Sequence, residues 1–317
     1  MSLGGREMKK VFIDGGAGTT GLRILERLSG RSDIEILTIP EDKRKNPETK
    51  KKIMNQADVV FLCLPDAAAV ESVALVENPE TVVIDASTAH RTKADWAYGF
   101  PELGEAFLQK LTASKRIAVP GCHASGFIAL VYPLVEKGIL PKNALLTCHS
   151  LTGYSGGGKS MIAEYASPER SALLDAPEQY AIAQQHKHLK EMKGITGIEN
   201  APVFCPIVGD FYSGMLVTVP LHASQVKGGL DDIRKVYQER YQSEIVFYAE
   251  TDGDGKTGFL SAAAYSGKDC MRISVHGNDE RILLTATYDN LGKGASGAAI
   301  ECMNIALGLP KNIGLEL

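Results

Sequence analysis

Cys122 stands in Val119-Pro120-Gly121-Cys122-His123-Ala124-Ser125-Gly126, ahead of the apolar run Phe127-Ile128-Ala129-Leu130-Val131. Pro120 and Gly121 end an extended run and the small residues after the cysteine open a helix, which sets the sulfur in the field of a helix N-terminus. A thiol so placed ionises more easily, and its thiolate can attack a carbonyl or an acyl phosphate near neutral pH. Cysteine is also a common buried packing residue, so this chemistry requires partners from elsewhere in the chain. One group comes in Tyr180-Ala181-Ile182-Ala183-Gln184-Gln185-His186-Lys187-His188-Leu189-Lys190-Glu191. Imidazole titrates near neutrality, so His186 suits acid/base work with Glu191 orienting it. His186 and His188 share a face only where the segment is extended, and H-x-H without further His or Cys nearby is a poor metal signal, so no metal is expected.

Two other segments have the residue types that hold anions. Thr152-Gly153-Tyr154-Ser155-Gly156-Gly157-Gly158-Lys159 joins adjacent glycines to a cation and could wrap an anionic substrate through Ser155 and Lys159. It lacks the G-x-x-x-x-G-K-[ST] spacing of a nucleotide P-loop. Arg91 carries a planar fork that pairs with phosphate at two points, a surface arginine being the plainer alternative.

These groups need elements to position them. Residues 10–14, Lys-Val-Phe-Ile-Asp, read as a short buried strand running into Gly15-Gly16-Ala17-Gly18-Thr19-Thr20-Gly21, with Leu22, Ile24, Leu25 and Leu28 at helical spacing beyond. In a strand, turn and helix of this kind, Gly16, Gly18 and Gly21 let a backbone approach a pyrophosphate and point a helix N-terminus at it; a tight turn that binds nothing is the other reading. Residues 35–39, 58–62 and 81–85 repeat the strand pattern, with helical stretches near 67–76 and 107–111. The loops at 15–21, 64–66 and 87–91 then meet at one rim, where parallel sheets bind ligands, which makes Gly15 through Gly21, Leu64, Pro65 and Ser87 the cofactor side. An acidic ribose ligand is expected near the end of the second strand. The residues at that place are Pro40-Glu41-Asp42-Lys43-Arg44-Lys45, whose basic trio could neutralise a 2′-phosphate and favours NADP over NAD.

After a helix from Cys122 to about residue 134, β-like runs at 144–150, 203–210, 214–221, 245–248, 271–276 and 282–288, with a helix over 230–241, indicate a second, mixed or antiparallel sheet suited to a subunit interface. Asp289-Asn290-Leu291-Gly292-Lys293-Gly294-Ala295-Ser296-Gly297 leads into an apolar helix whose small residues let it lie against a backbone or a cofactor and return to the first domain. The fold class expected is α/β: a Rossmann-like doubly wound parallel sheet plus an α+β domain with a mixed sheet. The domains are residues 8–121 with 295–317, and 122–294.

Composition agrees with this outline. A chain of 317 residues supports two domains. A net charge of -4, with scattered Lys and Arg, gives no reason to expect nucleic acid. No apolar stretch approaches the roughly 20 residues of a membrane span, and no signal peptide precedes Met8, so a cytoplasmic location is expected. Six cysteines without a C-x-x-C pair argue against a zinc site and a disulfide framework. Residues 1–7 resemble a tag remnant and are set aside.

The chain resembles the N-acetyl-gamma-glutamyl-phosphate reductases, the arginine-biosynthesis members of the semialdehyde dehydrogenase group, in their shorter form. The likeness rests on the turn at 15–21, Asp85-Ala86-Ser87-Thr88-Ala89-His90-Arg91, Tyr98-Gly99-Phe100-Pro101-Glu102-Leu103, Pro120-Gly121-Cys122, the glycine run before Lys159, His186-Lys187-His188 and the 289–297 segment. It implies a Cys122 nucleophile, a His186 base, an NADP site on Gly15, Gly18 and Gly21, and a phosphate-side Arg91. It also implies that Tyr180, His188 and Glu191 belong to the substrate region, that the substrate is a small acyl phosphate, and that the protein is a homo-oligomer, dimer or tetramer. Asn290 joins the cofactor side. The longer members carry Asn before Pro-Gly-Cys and Tyr-Pro-Thr after it; here Val119 and His123-Ala124-Ser125 stand instead, and His123 competes with His186 as base. Alternatives are an aspartate-semialdehyde dehydrogenase, which shares the mechanism, and a nucleotide-binding sensor without catalysis.

Overall fold

The computed structural model describes residues 8–43, 46–250 and 257–317; residues 1–7, and Arg44 and Lys45 of the basic run, lie outside them. Continuous apolar runs build the first sheet. β1 (Lys9–Asp14), β2 (Ile34–Leu37), β3 (Val59–Leu62) and β4 (Val82–Asp85) alternate with α1 (Thr19–Ser29), α2 (Pro47–Gln56) and α3 (Asp66–Ala74), and β5 (Ala97–Tyr98), α4 (Glu105–Ala113) and β6 (Arg116–Ala118) complete the set. The six strands are parallel, in the order β2-β1-β3-β4-β6-β5. Because β2 and β3 lie on opposite sides of β1, the chain reverses direction there, and a crevice opens at the carboxyl ends of β1 and β3. Every residue of β3 and β4 is buried, as expected of strands covered on both faces. Val59 and Phe61 pack with Ile24 and Leu28 of α1, while Val60 and Leu62 face Met54 of α2 and Ala69 of α3. Each such buried side chain stabilises by roughly 1.5–3 kcal/mol. α2 has no apolar period to reveal it, since only Met54 of its ten residues is buried. Its start is set instead by the Asn46 side chain, which accepts the Thr49 N–H at 3.1 Å, and by Pro47 in the first turn.

α5 (Cys122–Glu136) carries the chain into the second sheet, built from β7 (Thr147–Gly153), β8 (Glu178–Gln179), β9 (Val203–Gly209), β10 (Met215–His222), β11 (Val246–Tyr248), β12 (Met271–Gly277) and β13 (Arg281–Tyr288). The order β11-β12-β13-β10-β7-β9-β8 is mixed: β11 with β12 and β7 with β9 are parallel, the other pairs antiparallel. Between these strands run α6 (Gly158–Ala166), α7 (His188–Thr196) and α8 (Leu230–Arg240). Along β10 buried positions alternate with less buried ones, so one face of this sheet packs on Phe127, Leu130 and Leu134 of α5 and Ile233 of α8. α9 (Gly297–Ala306) then returns to the first sheet, where Ala299, Ile300 and Met303 join Val59 and Phe61. Among the described residues no helix is long and apolar enough to cross a membrane.

The turn of residues 292–296 between β13 and α9 is a π-helical segment held from inside by charge. Lys293 is only 2 % exposed; its ammonium donates to Glu102 at 2.8 Å and to Glu301, and lies 4.9 Å from the Phe100 ring centre. One cation cannot compensate two adjacent carboxylates in a dry site, so the pair shares a proton. Against the cost of burial, Lys293 holds Glu102 below its ordinary value, whereas burial and then Glu102 push Glu301 up to about 8. A carboxyl whose pKa is raised by folding binds its proton more tightly in the folded chain, so its contribution to stability is complete below its ordinary 4.5 and fades as pH climbs to about 8. Glu301→Gln fixes the neutral form. Urea midpoints followed from about pH 5 to about pH 9 should therefore lose that decline in the variant, and an unchanged slope would place the proton elsewhere.

Candidate active site

The two sheets meet over a cavity of about 430 Å³. The β1–α1 turn contributes Gly18, Thr19 and Thr20, and the β3–α3 loop contributes Leu64. Arg91 reaches in from the loop after β4, and Cys122 from the first position of α5. From the second sheet and its loops come Ser155, Tyr180, His186, His188 and Asn290.

Cys122 is half-buried at the α5 N-terminus. Burial pushes its thiol above the ordinary value, outweighing the Arg91 guanidinium and the His123 N–H directed at the sulfur. This corrects the expectation of an easily ionised thiol: desolvation exceeds the help from Arg91 and the His123 N–H, so the sulfur needs a base to take its proton. The first turn of α5 is opened by Tyr288, whose hydroxyl donates to the Cys122 carbonyl and accepts the Gly126 N–H at 3.1 Å. Behind the sulfur, Glu191 gathers three donors. Its Oε1 accepts from Tyr98 Oη at 2.7 Å and from the Gly121 N–H at 2.8 Å, and its Oε2 accepts from Arg91 Nη1 at 2.9 Å. Glu191 therefore orients Arg91 and the Pro-Gly-Cys backbone rather than His186, contrary to the sequence-based expectation, because the first turn of α7 points it beneath Gly121. A side chain at Gly121 would overlap Arg91 and His188. Arg91 also donates Nε to the Val119 carbonyl and Nη2 to that of Ala86, both at 2.9 Å, so a counter-charge and two carbonyls aim it at the cavity.

Three imidazoles cluster beside the sulfur, with ring centres 4.7 Å apart for His186 and His188 and 5.8 Å for His123 and His186. His123 is bonded on both nitrogens, to Ser150 Oγ at 2.7 Å and Tyr180 Oη at 2.6 Å, and burial followed by His186 lowers it to about 3. With both nitrogens engaged and its proton affinity lowered, it is less suited to act as a base than an open imidazole. His188 is buried, held well below its ordinary value by burial and Arg91, and its Nδ1 has no hydrogen-bond partner among the described residues. His186 is the most open of the three; burial and then Lys187 lower it, and its Nδ1 accepts the His188 N–H at 3.2 Å, which leaves the ring proton of the neutral form on Nε2. Greater exposure makes His186 the imidazole best able to take and release a proton.

The glycine turn fits the phosphates of a dinucleotide. Gly15 has φ +81°, and a Cβ there would overlap the Cys63 carbonyl; one at Gly21 would lie 2.6 Å from the Gly15 oxygen. The close packing of turn, α1 and β3 thus depends on missing side chains, and the α1 N-terminus is left facing the crevice. Gly15, Gly16 and Ala17 line an adjoining cavity of about 510 Å³. There Asp14 is paired with Lys50 at 2.5 Å and accepts the Ser72 hydroxyl at 3.0 Å, a cluster no local motif announces.

Several expected contacts do not form. Ser87 turns inward and donates its hydroxyl to Asp85, whose carboxylate also meets His90 Nδ1 at 2.6 Å. Pro65 is exposed at the head of α3 and Lys159 is exposed on α6, both outside the cavity lining, because each helix start rotates the side chain outward. Lys43 is exposed and lines neither cavity. Ser155 and Asn290 do meet, Asn290 Nδ2 donating to Ser155 Oγ at 2.9 Å.

Residues 10–111 match the semialdehyde dehydrogenase NAD binding domain, and residues 122–290 the semialdehyde dehydrogenase dimerisation domain. An N-acetyl-gamma-glutamyl-phosphate reductase 2 from Nostoc sp. is 43% identical over 96% of this chain and 99% of its own. An N-acetyl-gamma-glutamyl-phosphate reductase from Sinorhizobium medicae is 42% identical over 94% of this chain and 98% of its own. Among solved structures, aspartate semialdehyde dehydrogenase II from Vibrio cholerae shares the fold, with a TM-score of 0.71 at 15% identity over 95% of this chain and 99% of that one. Paired domains spanning the cavity and relatives matched over almost their full length lead to one conclusion: the chain belongs to the semialdehyde dehydrogenases, in the N-acetyl-gamma-glutamyl-phosphate reductase family.

Proposed function

We propose that this protein reduces N-acetyl-gamma-glutamyl phosphate to N-acetylglutamate 5-semialdehyde and phosphate in cytoplasmic arginine biosynthesis, through a thioester on Cys122 and with NADPH as reductant. The observation that carries the reading is one cavity lined by Cys122, His186, Arg91 and the phosphate-binding end of the glycine turn. His186 takes the thiol proton on Nδ1, which gives up the His188 N–H, as the sulfur attacks the acyl carbon. The S–C bond forms, the C–O bond to phosphate breaks beside Arg91, and the departing phosphate receives that proton. Gly15 to Gly21, Leu64 and Asn290 hold the dinucleotide, and when bound its nicotinamide supplies the hydride that reduces the thioester carbonyl. With one proton from water the sulfur then carries a hemithioacetal, whose hydroxyl proton passes to His186 as the C–S bond breaks. The aldehyde departs and the sulfur recovers its proton.

NADP rather than NAD is supported by the second cavity. β2 ends on Leu37, with Thr38 next to it in the lining, and among the described residues Asp14 is the one carboxylate of that lining, paired with Lys50. The division into a nucleotide domain, 8–121 with 295–317, and a catalytic and oligomerisation domain, 122–294, is supported by the packing of α9 on the first sheet. A homo-oligomer, dimer or tetramer, is supported by the less buried face of the second sheet, which presents Leu151, Ile207, Leu216 and Leu283. The test is phosphate-dependent oxidation of N-acetylglutamate semialdehyde and of aspartate semialdehyde, each with NADP and NAD. We expect kcat/KM to favour the acetylated substrate by at least about 10²-fold, with NADP preferred; preference for aspartate semialdehyde would overturn the assignment.

A further inference from the structure

The hydrogen bonds beside Cys122 form a chain with a direction. Ser150 Oγ lies 2.7 Å from His123 Nδ1, and His123 Nε2 lies 2.6 Å from Tyr180 Oη. Ser150 is fully buried, and His123 is the one hydrogen-bond partner of its hydroxyl among the described residues. A buried O–H left unused costs about 1–3 kcal/mol, so Ser150 donates to Nδ1. His123, kept neutral by its burial, then carries its proton on Nε2 and donates to Tyr180 Oη. The reverse direction would spend the phenolic proton on His123 and strand that of Ser150. In the favoured direction the Tyr180 proton finds no acceptor among the described residues, and Tyr180 lines the cavity that holds Cys122.

The loop that carries Tyr180 is fixed in advance. Ala181 and Gln184 adopt left-handed φ of 50° and 56°, conformations that persist only where the surroundings impose them. Gln184 is clamped to β9, donating to the Phe204 carbonyl at 2.7 Å and accepting the Phe204 N–H at 2.8 Å, and the Tyr180 N–H donates to the Pro206 carbonyl at 3.1 Å. A donor held in place, polarised by two hydrogen bonds behind it, is what stabilises charge developing on an acyl oxygen.

We propose that Tyr180 is a catalytic residue whose hydroxyl donates to the substrate acyl oxygen as Cys122 attacks, with Ser150 and His123 as positioning residues that set the direction of the chain. The proposal rests on the acyl-phosphate reading above and adds the group that receives the developing charge.

The experiment tracks thioester formation on Cys122 by intact mass, using N-acetyl-gamma-glutamyl phosphate without nicotinamide, beside iodoacetamide alkylation of the same thiol. Tyr180→Phe should slow acylation by about 10²-fold and leave alkylation within about twofold. Ser150→Ala, which frees His123 to accept the phenolic proton, should slow acylation several-fold, and Ser150→Thr should restore it. Acylation by Tyr180→Phe or Ser150→Ala at wild-type rate would overturn the proposal. So would equal slowing of acylation and alkylation, since Tyr180 would then act on the sulfur. A wild-type chain that forms no thioester would instead overturn the acyl-phosphate reading.

Discussion

Cys122→Ala should lose phosphate-dependent oxidation of the semialdehyde by about 10⁴-fold or more, while NADPH titrated by fluorescence binds within about twofold of the wild-type affinity. The separation comes from placement. The sulfur projects from the first position of α5, whereas the proposed dinucleotide cradle is built from Gly15, Gly18 and Gly21 against β3, and among the described residues no hydrogen bond of that cradle runs through Cys122. Loss of both properties together would show that the sulfur is a packing residue, since Cys122 lies so near the π-turn that a Cβ added at Gly294 would come within 3.1 Å of its own. Retained turnover would remove the thioester from the mechanism.

The second large effect is expected at Glu191. Replacement by Ala strands the buried Arg91 guanidinium and removes the acceptor of the Tyr98 hydroxyl and the Gly121 N–H. Breaking a buried ion pair in this way costs about 3–5 kcal/mol, measurable as a lowered urea midpoint, and activity should fall with it because Gly121 precedes Cys122, the proposed nucleophile. Glu191→Gln keeps an oxygen for the Tyr98 and Gly121 donors, deletes the charge and takes the acceptor away from Arg91. The carboxylate raises the Cys122 thiol and Arg91 lowers it, so the amide variant should alkylate with its pH midpoint shifted to lower pH. A midpoint that moves up or stays put would mean that the Glu191 charge does not act on the sulfur.

These two residues mark the boundary of what local pattern can reveal. The glycine turn, the Pro-Gly-Cys helix start and the longer strands of both sheets were legible because each is written in adjacent residues: apolar runs of a given period, a turn that tolerates no side chain, a helix that opens on small groups; the two-residue β5 and β8 are too short to carry a period. His186 was legible as a titratable type, and its greater exposure separates it from His123 and His188 only in the folded chain. Lys159 and Ser87 carried the right chemistry and were turned away by the rotation of a helix start and by Asp85.

Local pattern was thus enough to specify a parallel nucleotide-type sheet, a second mixed sheet and a cysteine at their junction, since hydrophobic period and backbone permissiveness are short-range properties. Which charges and hydroxyls meet was settled by packing in three dimensions. Arg91 and Glu191 are 100 residues apart, Tyr98 and Glu191 93 apart, and His123 and Tyr180 57 apart. Pairing at such separations leaves no periodicity in the chain. The lean of the thiol was set in the same way, because burial, which only packing fixes, outweighs Arg91 and the His123 N–H directed at the sulfur.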